Sequence, residues 1–207
     1  EFYDELIVFA KKHNIIIIHD NAYSDIVYDG ECGSSFLSHE GAKEVGVEFY
    51  SLSKSFNITG ARVSFVVGNS DIIKHFKMLR SQIDYGIFKP IQHAAIAALI
   101  GPQDSVKLHC KEYEKRRNAL CRGLSKIGWN VPDSKGSMFA WAPIPSNFKS
   151  SSDFCMELME KTGVICTPGS AFGSLGEGYV RFALVLPVPI IEEAVSRIAE
   201  SGILKTK

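Results

Sequence analysis

Four consecutive isoleucines, residues 15–18, constrain the fold of this chain more than any other feature. A β-branched run that is apolar on both faces predicts a buried parallel strand with helices on both sides. Residues 45–50 and 63–67 are two further strand candidates, and amphipathic helical patterns separate or follow these strands. Because strands alternate with helices, we predict an α/β fold with a doubly wound, mostly parallel sheet.

The pattern changes after Gly101-Pro102. A long helix is predicted over residues 105–127, and two further helices are centred near residues 154–159 and 191–198. Short strands are predicted near residues 129–131, 138–142, 164–167 and 179–184. This arrangement is typical of an α+β unit. We therefore predict two domains, residues 1–103 and residues 104–207, with the long helix connecting them.

The composition excludes several classes of function. Lys and Arg number 23, as do Asp and Glu, so the net charge is zero and neither nucleic acid nor an anionic membrane is an expected partner. No apolar run approaches the roughly 20 residues that span a bilayer. The 5 cysteines include no C-x-x-C pair, which predicts reduced thiols in a cytoplasmic protein. The 6 histidines lack paired spacing, so no metal site is expected.

Polar side chains follow the first two predicted strands at the points where these strands end. Asp20 and Tyr23 follow the first strand, and Ser51, Ser53 and Lys54 follow the second. Ligands of doubly wound sheets bind beyond the carboxyl ends of the strands. The sequence therefore predicts a ligand site at this edge of the sheet.

The chemistry of this cluster suits a small, anionic, electron-withdrawing ring, and pyridoxal phosphate is the common cofactor that it fits best. A lysine must be neutral to attack an aldehyde, and partial burial and a nearby cation favour the neutral amine, which makes Lys54 the candidate for this step. The Asp20 carboxylate would keep a ring nitrogen protonated, which makes the ring an electron sink. Tyr23 would reach the ring hydroxyl.

A phosphate group has its own predicted partners. Ser51 and Ser53 provide hydroxyl donors, and the guanidinium fork of Arg62 matches phosphate oxygens. Each residue type also has an ordinary structural role, which stays open for each residue taken singly. Serines and aspartates cap helices and turns, a tyrosine can anchor a loop, and most lysines are solvated surface charges.

Arg181 lies in the middle of an apolar strand pattern, where a guanidinium is costly unless it is paired. One interpretation is a bidentate clamp for the α-carboxylate of a substrate. The other is an edge-strand arginine whose head lies in water. Residues 169–173 would form the tight turn that brings this strand to the cleft.

Five stretches of the chain resemble the class I/II aminotransferases, which are fold-type-I pyridoxal phosphate enzymes, and they occur in the family's order. They are HDNAY at residues 19–23, SLSKSFNITGAR at 51–62, KGSMF at 135–139, TPGSAFG at 167–173 and VRF at 180–182. The stretch WAPIP at residues 141–145 is most similar to the LL-diaminopimelate and aspartate aminotransferase-like branch.

The resemblance implies a role for each candidate residue. Lys54 is then the Schiff-base lysine and general base, Asp20 pairs with the pyridine nitrogen, and Tyr23 pairs with the ring hydroxyl. Ser51, Ser53 and Arg62 hold the phosphate, and Arg181 binds the substrate carboxylate. The implied enzyme is a cytoplasmic homodimer that moves an amino group between an amino acid and a 2-oxo acid.

The resemblance also implies that part of the family's site is missing from this sequence. Residues 1–103 would be the C-terminal part of the cofactor-binding large domain, and residues 104–207 the small domain. The family's Gly-rich phosphate loop, ring-stacking aromatic residue and ring-hydroxyl asparagine would precede Glu1. We therefore expect a truncated chain that starts inside a longer protein, exposes an apolar strand edge and is inactive alone.

Three alternatives remain open on the same residues. A carbon–sulfur β-lyase on this scaffold shares every step up to removal of the Cα proton. An aminotransferase-like effector domain of a transcription regulator would carry a DNA-binding segment before residue 1. A degenerate dimerisation module would keep the fold without catalysis, although the intact set of candidate residues argues against it.

Overall fold

The computed structural model describes residues 1–204, which divide into a first compact unit, Glu1–Cys110, and a second that begins at Lys111. The first unit contains these elements in chain order: α1 (Phe2–His13), β1 (Ile17–Asp20), α2 (Ala42–Val45), β2 (Gly46–Ser51), α3 (Leu52–Ser55), β3 (Ser64–Gly68), α4 (Ser70–Ser81) and α5 (Lys89–Ile100). Helix α6 (Asp104–Lys126) contains the division between the units. The domain boundary at residues 103 and 104 stays a prediction.

The sheet of the first unit has the order β1-β2-β3. Strands β1 and β2 are parallel, with Asp20 opposite Phe49. Strand β3 runs antiparallel to β2, with Ser51 opposite Ser64. The predicted α/β class is confirmed, but the sheet is mixed. A parallel return requires a long crossover, and the short connection between β2 and β3 contains only single helical turns, so the chain reverses direction.

Local signals explain where the helices of this unit begin and end. Helix α1 ends at Asn14, whose left-handed backbone lets the N–H of the next residue, Ile15, also donate to the carbonyl of Ala10, at 2.9 Å. Helix α4 begins after Asn69, whose side-chain oxygen accepts hydrogen bonds from two backbone N–H groups of the first turn. These caps fix the positions at which the chain enters and leaves the sheet.

The isoleucine run differs from its prediction. The strand begins at Ile17 rather than Ile15, and the side chains of Ile16 and Ile18 are 60% and 67% exposed. Strand β1 is an edge strand among the residues that the structure describes, and the exposure of Ile16 and Ile18 shows that the face carrying them is also open. The expectation that the chain exposes an apolar strand edge agrees with this exposure.

The second unit contains β4 (Phe139–Pro143), α7 (Ser151–Thr162), β5 (Thr167–Pro168), β6 (Tyr179–Ala183) and α8 (Val188–Ser201). Its sheet has the order β4-β6-β5, and both pairs are antiparallel. The strand predicted at residues 129–131 is absent. Trp129 and Val131 are instead buried in the core of this unit, where they pack as irregular chain.

Two properties bear on the classes of function considered above. Within residues 1–204, no helix combines the length and the apolarity needed to cross a bilayer. The 5 cysteines have free thiols; Cys121 and Cys155 are buried, whereas Cys32 is exposed.

Candidate functional site

The carboxyl ends of β1 and β2 form an open cleft of about 380 Å³. Asp20 and Ser51 both line it, together with Ser64 from the neighbouring strand. The backbone N–H of Asn21 donates to the carbonyl of Phe49 at 2.9 Å, which extends the pairing beyond β1 and fixes the start of the following loop. Sites for small molecules have volumes of roughly 300–1,000 Å³, so this cleft is large enough for one.

Lys54 lies on α3, a single helical turn that directly follows β2. The hydroxyl of Ser51 accepts a hydrogen bond from the N–H of Ser53 at 3.2 Å, so Ser51 caps this turn. The Nζ atom of Lys54 lies 5.8 Å from the centroid of the Tyr23 ring, and both side chains are half-buried. The structure therefore brings Lys54 and Tyr23 together, although neither residue lines the cleft that contains Asp20.

The candidate phosphate partners differ in exposure. Ser53 is buried, and its carbonyl accepts a hydrogen bond from the Thr59 hydroxyl at 3.1 Å. Arg62 follows the 3-10 turn Thr59–Ala61 in a left-handed conformation, with φ of 52°. Its Nη1 donates to the carbonyl of Thr59 at 3.3 Å, and the residue is exposed. The hydroxyl of Thr59 thus ties the turn before Arg62 to α3.

Arg181 belongs to the second unit and lies on its central strand, β6. It is opposite Trp141 of β4 and Thr167 of β5. Its guanidinium carbon lies 4.1 Å from the centroid of the Phe139 ring and 4.5 Å from that of Phe172. The interpretation as an edge-strand arginine is wrong, because β6 has a partner on each side. Contact with two aromatic rings stabilises the cation and restricts its orientation.

The buried carboxylate of Glu48, on the same strand as Ser51, was not predicted. Glu48 of β2 is 7% exposed and accepts hydrogen bonds from Asn21 Nδ2 at 2.9 Å and Ser35 Oγ at 2.7 Å. His19 Nδ1 lies 3.1 Å from the same carboxylate. Burial raises the pKa of Glu48, but the hydrogen bonds from Asn21, Ser35 and His19 outweigh it and hold the pKa below its usual value. A glutamate inside an apolar strand was the available signal.

A second group of three polar residues was also not predicted. Tyr50 donates a hydrogen bond to the carboxylate of Asp25, and the Ser55 hydroxyl donates to the same carboxylate oxygen. The two hydroxyl oxygens lie 3.1 Å apart. Burial, a hydrogen bond with Asp25 and the charge of Asp25 raise the pKa of Tyr50 to about 12. Asp25 is 25 residues from Tyr50 and 30 from Ser55, so only the fold reveals this group.

A family model and several curated relatives match this chain along almost its whole length. The family model described as aminotransferase class I and II matches residues 1–198. An LL-diaminopimelate aminotransferase of Halothermothrix orenii is 48% identical over 203 residues, which cover 98% of this chain and 52% of the relative. A protein of the same name from Gloeobacter violaceus is 43% identical over 98% of this chain and 52% of its own length. The chain spans about half the length of the curated relatives it matches.

Solved aminotransferase structures also superpose on almost the whole of this chain. An aminotransferase from Staphylococcus aureus superposes with a TM-score of 0.92 at 33% identity, covering 99% of this chain and 54% of that protein. A probable N-succinyldiaminopimelate aminotransferase from Thermus thermophilus superposes with a TM-score of 0.89 at 33% identity, covering 97% of this chain and 53% of that protein. The mixed sheet and the small α+β unit are therefore features that this chain shares with solved aminotransferases.

Proposed function

The chain belongs to the class I and II aminotransferases, and we propose that it carries the lysine-bearing part of a pyridoxal phosphate-dependent aminotransferase. The observation that supports this function most directly is the position of Lys54, half-buried and 5.8 Å from the Tyr23 ring. Lys54 follows β2, whose last residue, Ser51, shares a cleft with Asp20. The amine and the phenol thus lie together just beyond β2, and the carboxylate of Asp20 lies at the carboxyl end of the neighbouring parallel strand β1.

The donor set fits the cofactor. Pyridoxal phosphate, when bound, supplies an aldehyde and a ring that acts as an electron sink. The Lys54 amine would bind the aldehyde covalently and would move the proton at the substrate Cα. The Asp20 carboxylate would hold the proton on the ring nitrogen, and the Tyr23 hydroxyl would hydrogen-bond the ring hydroxyl. Asp20 is suited to a ligand because it lines the cleft and is exposed.

The remaining candidates would bind anionic groups. Ser51 lines the cleft, and the exposed guanidinium of Arg62 would meet the cofactor phosphate together with Ser53. Arg181 would bind the α-carboxylate of the substrate. Its contacts with Phe139 and Phe172 orient the guanidinium without neutralising its charge, so it remains able to pair with an anion.

We further propose that the amino donor is LL-diaminopimelate and the acceptor a 2-oxo acid, in a homodimeric enzyme. The relatives at 48% and 43% identity carry the name LL-diaminopimelate aminotransferase. The relatives and solved structures named above are aminotransferases, which favours amino transfer over the β-lyase and regulator alternatives. Light scattering of the complete gene product should give the mass of two subunits.

The experiment replaces Lys54 with alanine in the complete gene product, with Lys77→Ala as the matched control on an exposed face of α4. After incubation with pyridoxal phosphate, the unaltered protein and Lys77→Ala should show the visible absorbance of protein-bound cofactor. Both should also aminate a 2-oxo acid at the expense of LL-diaminopimelate. Lys54→Ala should lose the absorbance band and at least roughly 10²-fold in rate. Unchanged absorbance and rate in Lys54→Ala would contradict the assignment.

A further inference from the structure

We propose that Asp25, Tyr50 and Ser55 form a clamp that positions Lys54 against the loop carrying Tyr23. The three would be positioning residues for the proposed reaction, and this inference therefore rests on the proposed function. Tyr50 lines the cleft that contains Asp20, but its hydroxyl is engaged with Asp25 and Ser55, so the clamp would act through its neighbours in the chain.

The clamp is built on a single carboxylate oxygen. Asp25 Oδ2 accepts one hydrogen bond from the Tyr50 phenol and another from the Ser55 hydroxyl. Hydrogen bonds to an ionised acceptor are stronger than those between neutral groups. The pKa of Tyr50 is raised to about 12 by burial and by Asp25, so the phenol keeps its proton across the neutral range and remains a donor.

Each member of the clamp lies within two residues of a residue of the candidate site. Ser55 directly follows Lys54 in α3, and Asp25 lies two residues after Tyr23 in the loop that follows β1. Tyr50 precedes Ser51 in β2. One carboxylate therefore connects the lysine-bearing turn, the tyrosine-bearing loop and the end of the central strand.

Helix α3 depends on such contacts, because it contains only one turn and isolated short helices are not stable in water. Leu52 is fully buried and Ser55 is 1% exposed, whereas Lys54 between them is half-buried. The buried residues hold the turn and leave the lysine facing a more open space. The carbonyl of Ser55 also lies 3.4 Å from His109 Nδ1, a second contact at the end of the turn.

Tyr50 is itself held in place by the sheet. Its ring stacks on Phe65 of β3 with a centroid distance of 5.1 Å and an interplanar angle of 29°. The phenol oxygen is thus fixed relative to β2 and β3. A change at the hydroxyl of Tyr50 or Ser55 should release α3 from the loop without removing a core side chain.

Position matters for the proposed reaction because proton transfer requires close alignment, and a misplacement of about 1 Å can lower a rate by about 10²-fold. Loss of the clamp should lower kcat and leave the KM of the amino donor nearly unchanged. Substrate binding is assigned to Arg181, which is not part of the clamp.

The test uses the complete gene product loaded with pyridoxal phosphate. Tyr50→Phe and Ser55→Ala each remove one hydroxyl, and Ser81→Ala removes an exposed hydroxyl of α4 as the control. Both clamp variants should lower kcat by about 10-fold with KM within about twofold, and Ser81→Ala should change neither. The double variant should be little slower than either single variant, because the hydroxyls act as one unit.

The outcomes separate the clamp from a structural role and from the proposed function. A lower melting temperature in Tyr50→Phe and Ser55→Ala with unchanged kcat would overturn the clamp and leave the proposed function intact. The same holds if the effects of the two variants multiply. If Lys54→Ala keeps the cofactor absorbance and the activity of the unaltered enzyme, both proposals fail.

Discussion

Among single residues, Glu48 makes the most specific prediction about stability. Its carboxylate is buried and accepts hydrogen bonds from Asn21 and Ser35, with His19 in contact. Glu48→Gln replaces one acceptor oxygen by a donor that faces other donors. We expect the free energy of unfolding at pH 7 to fall by about 1–3 kcal/mol, as for a buried hydrogen-bonding group that loses its partner. Urea denaturation would measure this change.

The pH dependence of this effect has a definite sign. The pKa of Glu48 lies below the usual value of 4.5 in the folded state. The ionised carboxylate therefore stabilises the fold above about pH 4.5, and this contribution is lost as the pH falls through the folded-state pKa. The difference between the unaltered protein and Glu48→Gln should shrink in acid. A difference that grows in acid would contradict this account.

A matched control lies four residues earlier in the chain. Glu44 pairs with Lys11 at 2.8 Å, and its side chain is 68% exposed. Exposed ion pairs contribute roughly 0–1 kcal/mol, so Glu44→Gln should change the free energy of unfolding little. An equal loss in both variants would mean that burial of Glu48 is not the cause.

At the residue scale, some positions could be predicted from the sequence and some contacts could not. The positions of Asp20 and Ser51 at the ends of β1 and β2 were predictable because an apolar run precedes each of them. Their roles and that of Lys54 stay predictions. The contact between His19 and Glu48 was not predictable, because it depends on the register between two parallel strands. The hydrophobic pattern specifies which face of the sheet a residue occupies. In β1 it does not specify the register of this strand against β2.

At the scale of elements, two closely packed turns before β6 leave no room for a side chain at Gly169. The turns Gly169–Phe172 and Ser174–Gly176 approach so closely that a Cβ on Gly169 would lie 1.9 Å from the carbonyl oxygen of Gly176. It would also lie 2.7 Å from the carbonyl of Tyr179, the first residue of β6. Gly169→Ala should therefore separate the turns and destabilise the second unit by about 1–3 kcal/mol, the usual cost of overpacking.

Thermal unfolding with Gly60→Ala as the control would test this prediction. A Cβ on Gly60 meets no atom within 4 Å, so its substitution should leave the melting temperature nearly unchanged. Gly169→Ala should lower it by several degrees. Equal melting temperatures for the two variants would show that the turns can separate at no cost.

The elements that the sequence predicted well are the long ones. Helices α6, α7 and α8 lie close to their predicted positions because an apolar stripe repeated over several turns leaves one way to bury it. The short elements were missed or displaced. Helix α3 depends on the cap from Ser51, and β5 contains only two residues, so both depend on contacts that the local pattern does not encode.

At the scale of the whole molecule, the isoleucine run is more exposed than its sequence predicts. Its sequence is typical of a strand covered on both faces, yet β1 is an edge strand among the described residues and Ile18 is 67% exposed. The chain spans about half the length of its curated relatives. The apolar run is therefore typical of a more deeply buried strand than β1 is in this chain.

An exposed apolar strand edge favours association between copies, because its unpaired backbone groups and side chains can pair with another strand. We expect the 207-residue chain to self-associate at micromolar concentration and Ile18→Lys to reduce this association. The melting temperature should change little, since Ile18 is already mostly in water. Light scattering and thermal unfolding of the isolated chain would measure the two effects.

Ile26→Lys is the matched control, because Ile26 lies in the same unit but is only 2% exposed. Burying an unpaired ammonium is strongly unfavourable, so this variant should unfold at a much lower temperature and associate more rather than less. If Ile18→Lys destabilised the chain as much as Ile26→Lys, the face of β1 would be covered in solution. Exposure of Ile18 could then not be the cause of association. The isoleucine run would instead be buried against other residues of the same chain.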